Sequence, residues 1–312
     1  MRTYLDCVPC FVRQALDAAK MASHDPVLHE CILRETLVLA AEMPFDHPPP
    51  WMGQKIHRLL REATGRLDPY REMKERSNAI ALALYPELQS QVRTSADPFA
   101  TAVRLAIAGN VIDFGCKSHL DDDDVRQAIR DAMDDALDQA TVDELRWAVE
   151  EAQDILYLAD NAGEIVFDRL LIEEMPAERI TLVVKGGPVI NDATRQDVEA
   201  TGLDSLVAVM DNGSDVPGTI LESCSPTFRR RFEQSDLVIA KGQGNYETLN
   251  RENRDIFFLV KAKCPVIARD IGCEIGQAVI VRRRCGQPDR GSHTTTPCKT
   301  QDKVTNGKAG KT

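Results

Sequence analysis

The sequence predicts an α/β protein: a three-layer α/β/α domain on a mostly parallel sheet, preceded by an all-helical N-terminal domain. Three observations predict it. Four apolar runs in the second half, at 155–161, 180–187, 206–213 and 237–245, each stop abruptly at acids, amides, a lysine or glycines. Helical patterns lie between and after them, at 165–175, 193–201, 218–221 and 246–250, and such alternation marks a parallel sheet covered by helices on both faces. The first hundred or so residues show only helical spacing. The expected division is a helical domain over 1–98, an α/β/α metal-binding domain over 99–282 and a disordered tail over 283–312.

Taken in order, Phe11, Ala15, Leu16 and Ala19 give one apolar stripe over 10–22, and Leu28, Cys31, Ile32 and Leu39 give another over 27–43. Pro44 and the run Pro48, Pro49, Pro50 break the chain. Helices are expected over 51–64 and 70–84. Pro86 and Pro98 punctuate the next stretch, and a further helix is expected over 99–108, ending at Gly109. Asp121 to Asp124 open a helix running to about Gln139, as a solvated start favoured by the helix dipole. Thr141 and Glu144 match a capping box for the next short helix. Beyond the four apolar runs, strands are expected at 256–260, 265–268 and 278–282. After Val281 the composition has almost no apolar residues and cannot bury a core. The closing Gly310-Lys311-Thr312 resembles the end of a phosphate loop, but Thr305 stands where its first glycine belongs.

The 312 residues, 43% of them hydrophobic, suffice for a large core. A net charge of −11 argues against a nucleic-acid partner, because phosphate backbones need a positive surface. No stretch approaches the roughly 20 apolar residues that span a bilayer. The start, MRTYLDCVPC, lacks the apolar run of a signal peptide, so the expected location is cytoplasmic, with no membrane partner. Nine scattered cysteines read mostly as reduced thiols. Cys7 and Cys10 form a single CxxC at a helix start. That is half a zinc site, a redox pair or a pair of packing thiols.

The chemistry gathers at the ends of the apolar runs, where open parallel sheets bind ligands. Asp160 and Asn161 end one run and precede Ala162-Gly163-Glu164 and a helix. A carboxylate and an amide oxygen are hard ligands suited to Mg²⁺ or Mn²⁺, and Asn161 alone also fits a helix cap. Asn191 and Asp192 come after the next run. Asp192 either reaches the same cation or caps the helix after it. Lys241 enters Gly242-Gln243-Gly244-Asn245, where glycines permit close approach to a phosphate and the lysine adds charge. Lys185-Gly186-Gly187 has the same form. Asp211-Asn212-Gly213 reads as a turn. No G-x-S-x-G, H-E-x-x-H or dinucleotide fingerprint is present.

The ordered set LADNAGEIVFDRLLIEE, VVKGGPVINDAT, MDNGSDVPGT and DLVIAKGQGNYETL resembles the metal-dependent damage-control phosphatase family, long catalogued as a domain of unknown function. CVPC, DPYREMKERSN and AGNVIDFG are similar to its prokaryotic, CxxC-containing branch. The resemblance covers roughly residues 1–280. It implies a helical part beside an α/β/α domain and divalent-metal-dependent hydrolysis of phosphomonoesters, damaged or surplus phosphometabolites among them. It implies Asp160, Asn161 and Asp192 as metal ligands. It also implies a phosphate contact at Lys241, Gly242 and Asn245, and a contribution to the substrate pocket from Tyr70, Lys74 and Asn78.

The expected mechanism has a divalent cation (Mn²⁺, Mg²⁺, Co²⁺ or Ni²⁺) on those three ligands gripping a small-molecule phosphate ester. Asp160, or Glu164 nearby, takes a proton from water. Lys241, the N–H groups of 242–245 and those of Ala162, Gly163 and Glu164 hold the other phosphate oxygens. Two other readings are a phosphometabolite-binding or regulatory protein without turnover, and a methyltransferase. The substrate, the metal and the oligomeric state are open at this point.

Overall fold

Residues 1–109, 126–127, 129–131, 133 and 137–286 are described by a computed structural model. Three helices, α1 (Cys7–Ala22), α2 (Pro26–Glu42) and α3 (Pro49–Thr64), pack on one another. Their stripes meet in one cluster that includes Phe11, Ala15, Ala19, Ile32, Met52, Ile56 and Leu60. Asp25 caps α2 by accepting from the Val27 amide at 2.9 Å. Gly65, at φ +66°, ends α3 in the left-handed conformation that favours glycine.

Helix α4 (Arg71–Thr94) belongs to a different core. Its Ala81, Leu84, Leu88 and Val92 bury with α5 (Pro98–Ala108) and α6 (Gln139–Glu151) against the sheet. The cores therefore divide before α4, near Tyr70, and not at the expected residue 98. The helix also runs through Pro86, which was expected to break it. A mid-helix proline forfeits a hydrogen bond and clashes with the preceding turn, at a cost of ~3 kcal/mol. Burying Leu88 and Val92 beyond it works against that cost, since each buried side chain of this size is worth about 1.5–3 kcal/mol.

The sheet contains β1 (Ile155–Leu158), β2 (Ile180–Val184), β3 (Ala208–Asp211), β4 (Leu237–Lys241), β5 (Ile256–Lys261) and β6 (Ala278–Arg283), in the order β3-β2-β1-β4-β5-β6. The first five run parallel, and β6 pairs antiparallel with β5. Helices α7 (Glu164–Ile172), α8 (Arg195–Thr201), α9 (Pro226–Gln234), α10 (Gly242–Leu249) and α11 (Pro265–Ile271) connect and cover it.

Alternation along the strands separates two faces. Ile155, Tyr157, Leu182, Ile239 and Phe257 face the cluster that holds α4 to α7. Leu156, Leu158, Val183, Val238 and Phe258 face Phe228 and Phe232 of α9 and Val266 and Ile267 of α11. The chain builds outward from β1 to β3, then crosses back to lay β4 on the other side of β1. The strand order reverses there, and the crevice beyond the carboxyl ends of β1 and β4 is where such sheets bind ligands.

Four local expectations change. Residues 265–268 form the first turn of α11, with Pro265 at its N-terminus, because four apolar residues alone do not distinguish a strand from a buried helical turn. Helix α6 is capped by Asp138, which accepts from the Ala140 amide at 3.3 Å and from the Thr141 hydroxyl at 2.6 Å, so Thr141 does not cap it. The 218–221 pattern yields only a short 3₁₀ turn, Leu221–Ser223, and the helix there is α9, capped by Ser225. The last strand extends one residue further, to Arg283. The helix opening at Asp121 to Asp124, AGNVIDFG beyond Gly109 and the tail beyond Gly286 lie outside the described residues. Among those described, no helix is long and apolar enough to cross a membrane.

Candidate metal centre

Asp160 and Asn161 leave the carboxyl end of β1, at the strand-order reversal. The segment after β2 turns back over them. Asn161 and Asp192 form an isolated antiparallel β-bridge. Ala162 donates to Asn191 O at 2.9 Å, and Ala193 donates to Asp160 O at 2.8 Å. These bonds set Asp192 directly beside the Asp160-Asn161 pair. The turn that delivers Asp192 closes with its amide donating to Val189 O at 3.1 Å. It passes through Ile190 at φ +44°, a left-handed conformation a β-branched residue rarely adopts, costing about 1–3 kcal/mol. Strain of this kind persists where surrounding packing over-determines it, and Ile190 packs on the α1–α3 core.

The Asn161 amide is oriented from behind. Its Nδ2 donates to Asp160 Oδ2 at 2.9 Å and to Glu164 Oε2 at 3.0 Å. Two acceptors on the nitrogen side fix the amide flip and leave Oδ1 as the atom presented on the other side. The Asp160 carboxylate lies over Gly242, whose φ is +78°. A Cβ built there would stand 1.9 Å from Asp160 Oδ2. The glycine after β4 therefore makes room for the acid after β1.

Asp160, Asn161 and Asp192 are all nearly buried. Burial, then the charges of Glu164 and Asp192, push the Asp160 carboxyl well above the usual carboxylate range, against Lys263 and Lys185. Negative charge is concentrated here beyond what nearby lysines relieve. Two carboxylate groups and an amide oxygen suit a hard divalent cation with places left for water and a phosphate oxygen. Among the described residues, no three His, Cys, Asp or Glu side chains are grouped so as to hold a metal ion by themselves.

The two strand-end lysines occupy different places. Lys241 was expected at a phosphate, yet its ammonium is fully buried under the site. It donates to Ala106 O at 2.8 Å, Glu164 Oε1 at 2.7 Å and Asp168 Oδ1 at 2.6 Å, using all three protons. Although burial works against its charged form, Asp168 and Glu164 hold it protonated, above its ordinary value. Asp168 also accepts from the Tyr157 hydroxyl at 2.8 Å. Burial lifts the Asp168 carboxyl to about 6 against the pull of Lys241. Lys185, by contrast, stands 3.4 Å from Asp192 Oδ2 and donates to Gly218 O. Its lysine-glycine sequence signalled a strand end as clearly as that of Lys241, and only tertiary packing distinguishes them.

Several other expected ligand contacts are committed within the protein. Asn245 Nδ2 donates to Lys241 O at 2.8 Å and Ala159 O at 3.2 Å, and its Oδ1 accepts from Thr219 at 2.7 Å. It ties the ends of β1 and β4 together. Asn78 Oδ1 accepts from the Gly163 amide at 2.7 Å, and its Nδ2 donates to Asp197 Oδ1 at 3.0 Å. Lys74 pairs with Asp197 at 2.7 Å and reaches Thr194 at 3.3 Å. These α4 residues brace the turn at Gly163 and the start of α8. The Ala162 and Gly163 amides are thus already taken, which corrects their expected role as phosphate donors. The Glu164 carboxylate is taken by Lys241 and Asn161. Tyr70 stands at the residue before α4 and packs edge-on against His57, with ring centroids 5.5 Å apart. The first-turn amides of α10, at Gly242, Gln243 and Gly244, lack intrahelical acceptors by construction, and the first of these residues, Gly242, lies beside Asp160.

The CxxC thiols do not complete a metal site among the described residues. Burial pushes Cys7 up to about 11 and also raises Cys10, the opposite of an activated thiolate.

Comparisons with known proteins cover nearly the whole described chain. A family model described as the damage-control phosphatase ARMT1-like domain matches residues 3–279. An uncharacterized protein of Methanocaldococcus jannaschii is 36% identical over 292 residues, spanning 89% of this chain and 94% of that one. A protein of Archaeoglobus fulgidus named damage-control phosphatase is 34% identical over 282 residues, spanning 88% of this chain and 96% of that one. A crystal structure of a Pyrococcus horikoshii protein of the family once catalogued as a domain of unknown function superposes with a TM-score of 0.82 at 34% identity, over 90% of this chain and 99% of that one.

Proposed function

The chain belongs to the ARMT1-like damage-control phosphatase family, and on that premise we propose that it is a divalent-metal-dependent phosphatase acting on phosphate monoesters of small metabolites, damaged or surplus ones among them. The observation that carries this reading is the β-bridge between Asn161 and Asp192, which sets two carboxylates and an amide from separate loops side by side.

Asp160, Asn161 and Asp192 would hold the cation. When bound, it neutralises charge on the phosphate oxygens and favours ionisation of a water near phosphorus. Lys185, beside Asp192, supplies positive charge to the transferring group. The first-turn amides of α10, which begins at Gly242 beside Asp160, would offer N–H donors to the remaining oxygens. We assign the proton of the attacking water to Asp160, since both oxygens of Glu164 are committed to Lys241 and Asn161. Gly242 keeps backbone and carboxylate close enough for the phosphate to meet both.

The test is phosphate release from a panel of sugar phosphates, nucleotides and phosphopantetheine-like esters, each with Mn²⁺, Mg²⁺, Co²⁺ or Ni²⁺. Release by the wild-type protein, lost on chelation and in Asp160→Ala, is the expected result. Equal release after chelation, or none from any ester with any metal, contradicts the reading.

A further inference from the structure

We infer that Lys241 and Asp168 are positioning residues for the metal ligand Asn161, acting through Glu164, and that Lys241 does not contact phosphate. This deepens the metal-dependent reading above and rests on it. The bonds form one unbroken buried line. The Tyr157 hydroxyl donates to Asp168 Oδ1 at 2.8 Å, and the Lys241 ammonium donates to the same oxygen at 2.6 Å. Lys241 then donates to Glu164 Oε1 at 2.7 Å. The other Glu164 oxygen accepts from Asn161 Nδ2 at 3.0 Å, and that nitrogen also donates to Asp160 Oδ2.

Each link has one physical job. Tyr157 lies on β1, the strand that leads into Asp160, and Asp168 lies on α7, which begins at Glu164. Lys241 comes from β4 on the other side of the strand-order reversal. The lysine therefore ties β4 to α7 by two charged hydrogen bonds. Its third proton goes to Ala106 O in the last turn of α5. With three acceptors around an ammonium of zero exposure, no proton is left for a ligand. The ammonium pins one Glu164 oxygen, so the other is held toward the Asn161 amide. That acceptor keeps nitrogen inward and Oδ1 outward, the only orientation in which the amide can bind a cation. A flipped amide would present N–H donors to the ion. Outer-shell partners of this kind change metal affinity by about 10–100-fold when removed.

Isothermal titration calorimetry with Mn²⁺ alone, with no phosphate ester present, tests the assignment in the full-length chain. Lys241→Met is expected to weaken Mn²⁺ binding at least about 10-fold. Asp168→Asn keeps the side-chain volume and the Tyr157 hydrogen bond, and serves as the second variant should Lys241→Met fail to fold. It is expected to weaken Mn²⁺ binding in the same direction by a smaller factor. Lys241→Arg, which keeps the charge, is expected to recover part of the loss. Circular dichroism of the metal-free proteins checks folding. Wild-type binding matched by folded variants, with their defect confined to the KM for phosphate esters, overturns the positioning role and leaves the phosphatase reading standing. Absence of Mn²⁺ binding in the wild type overturns the metal-dependent reading itself.

Discussion

Asn161 pairs with Asp192 across an isolated antiparallel β-bridge at the mouth of the sheet. The bridge lies beyond the end of β1, where the strand order reverses, and brings Asp192 from the loop after β2 to the Asp160-Asn161 pair after β1. Removing either acid should cost the interactions that form as the phosphoryl group transfers. Asp160→Ala and Asp192→Ala are each expected to lower kcat/KM by about 10³-fold or more, the equivalent of several kcal/mol. Initial rates of phosphate release at saturating metal check this. A loss below tenfold for Asp192→Ala would remove it from the ligand set.

Gly242 has no room for a side chain. A methyl group there would meet the Asp160 carboxylate at 1.9 Å, at a backbone φ of +78°. Gly242→Ala is expected to destabilise the fold by about 1–3 kcal/mol and to weaken Mn²⁺ binding as the carboxylate is displaced. Urea denaturation and metal titration measure the two effects separately.

The backbone at Gly163 depends on Asn78, whose Oδ1 accepts its amide proton. Asn78→Ala leaves that buried donor, and one Asp197 oxygen, without their partner. The expected loss is about 1–3 kcal/mol of stability. Activity should fall more through kcat than through KM, because the turn orients Asn161 and Glu164 and does not grip the ester. A change in KM alone would point to direct substrate contact by Asn78.

Glu247, on α10, supplies a pH dependence. Burial, opposed by Gln243 and nearby positive charge, lifts its carboxyl to about 7 from 4.5. The folded state keeps a proton that the unfolded chain has lost between those values. Its contribution to stability is therefore fully present below about pH 4.5, declines as pH rises to about 7, and is flat above. Glu247→Gln removes that decline. The variant is expected to be more stable than wild type at pH 8 by on the order of 1–3 kcal/mol, and no more stable at pH 4.5. Denaturant midpoints across that range check both halves.

The parts of this site that were legible in sequence are those fixed by position along the chain. Asp160, Asn161 and Gly242 come directly after apolar runs, and a run that ends at a polar or glycine residue places that residue at a strand end. Asp192 follows its run at a distance and is placed by the turn that bridges it to Asn161. The parts that were not legible depend on neighbours distant in sequence. Lys185 and Lys241 share the same lysine-glycine signature, and only the three acceptors that surround Lys241 consign it to the interior. Asp168 and Tyr157 read as members of an apolar helix and an apolar strand, with nothing local to mark their hydrogen bond. Lys74 and Asn78 fall on one face of a helix, but their partners, Asp197 and Gly163, come from the other half of the chain. Secondary structure departed from expectation for related reasons. Pro86 stays inside α4 because packing beyond it outweighs a local preference, and residues 265–268 were too short a run to show a helical period.

Anomalous diffraction at the manganese edge, from crystals of the full chain soaked in Mn²⁺, tests the shared-cation claim most directly. The account predicts a peak within bonding distance of an Asp160 oxygen, Asn161 Oδ1 and an Asp192 oxygen. No peak there at saturating Mn²⁺, or a peak bound by only one of the three, would contradict it.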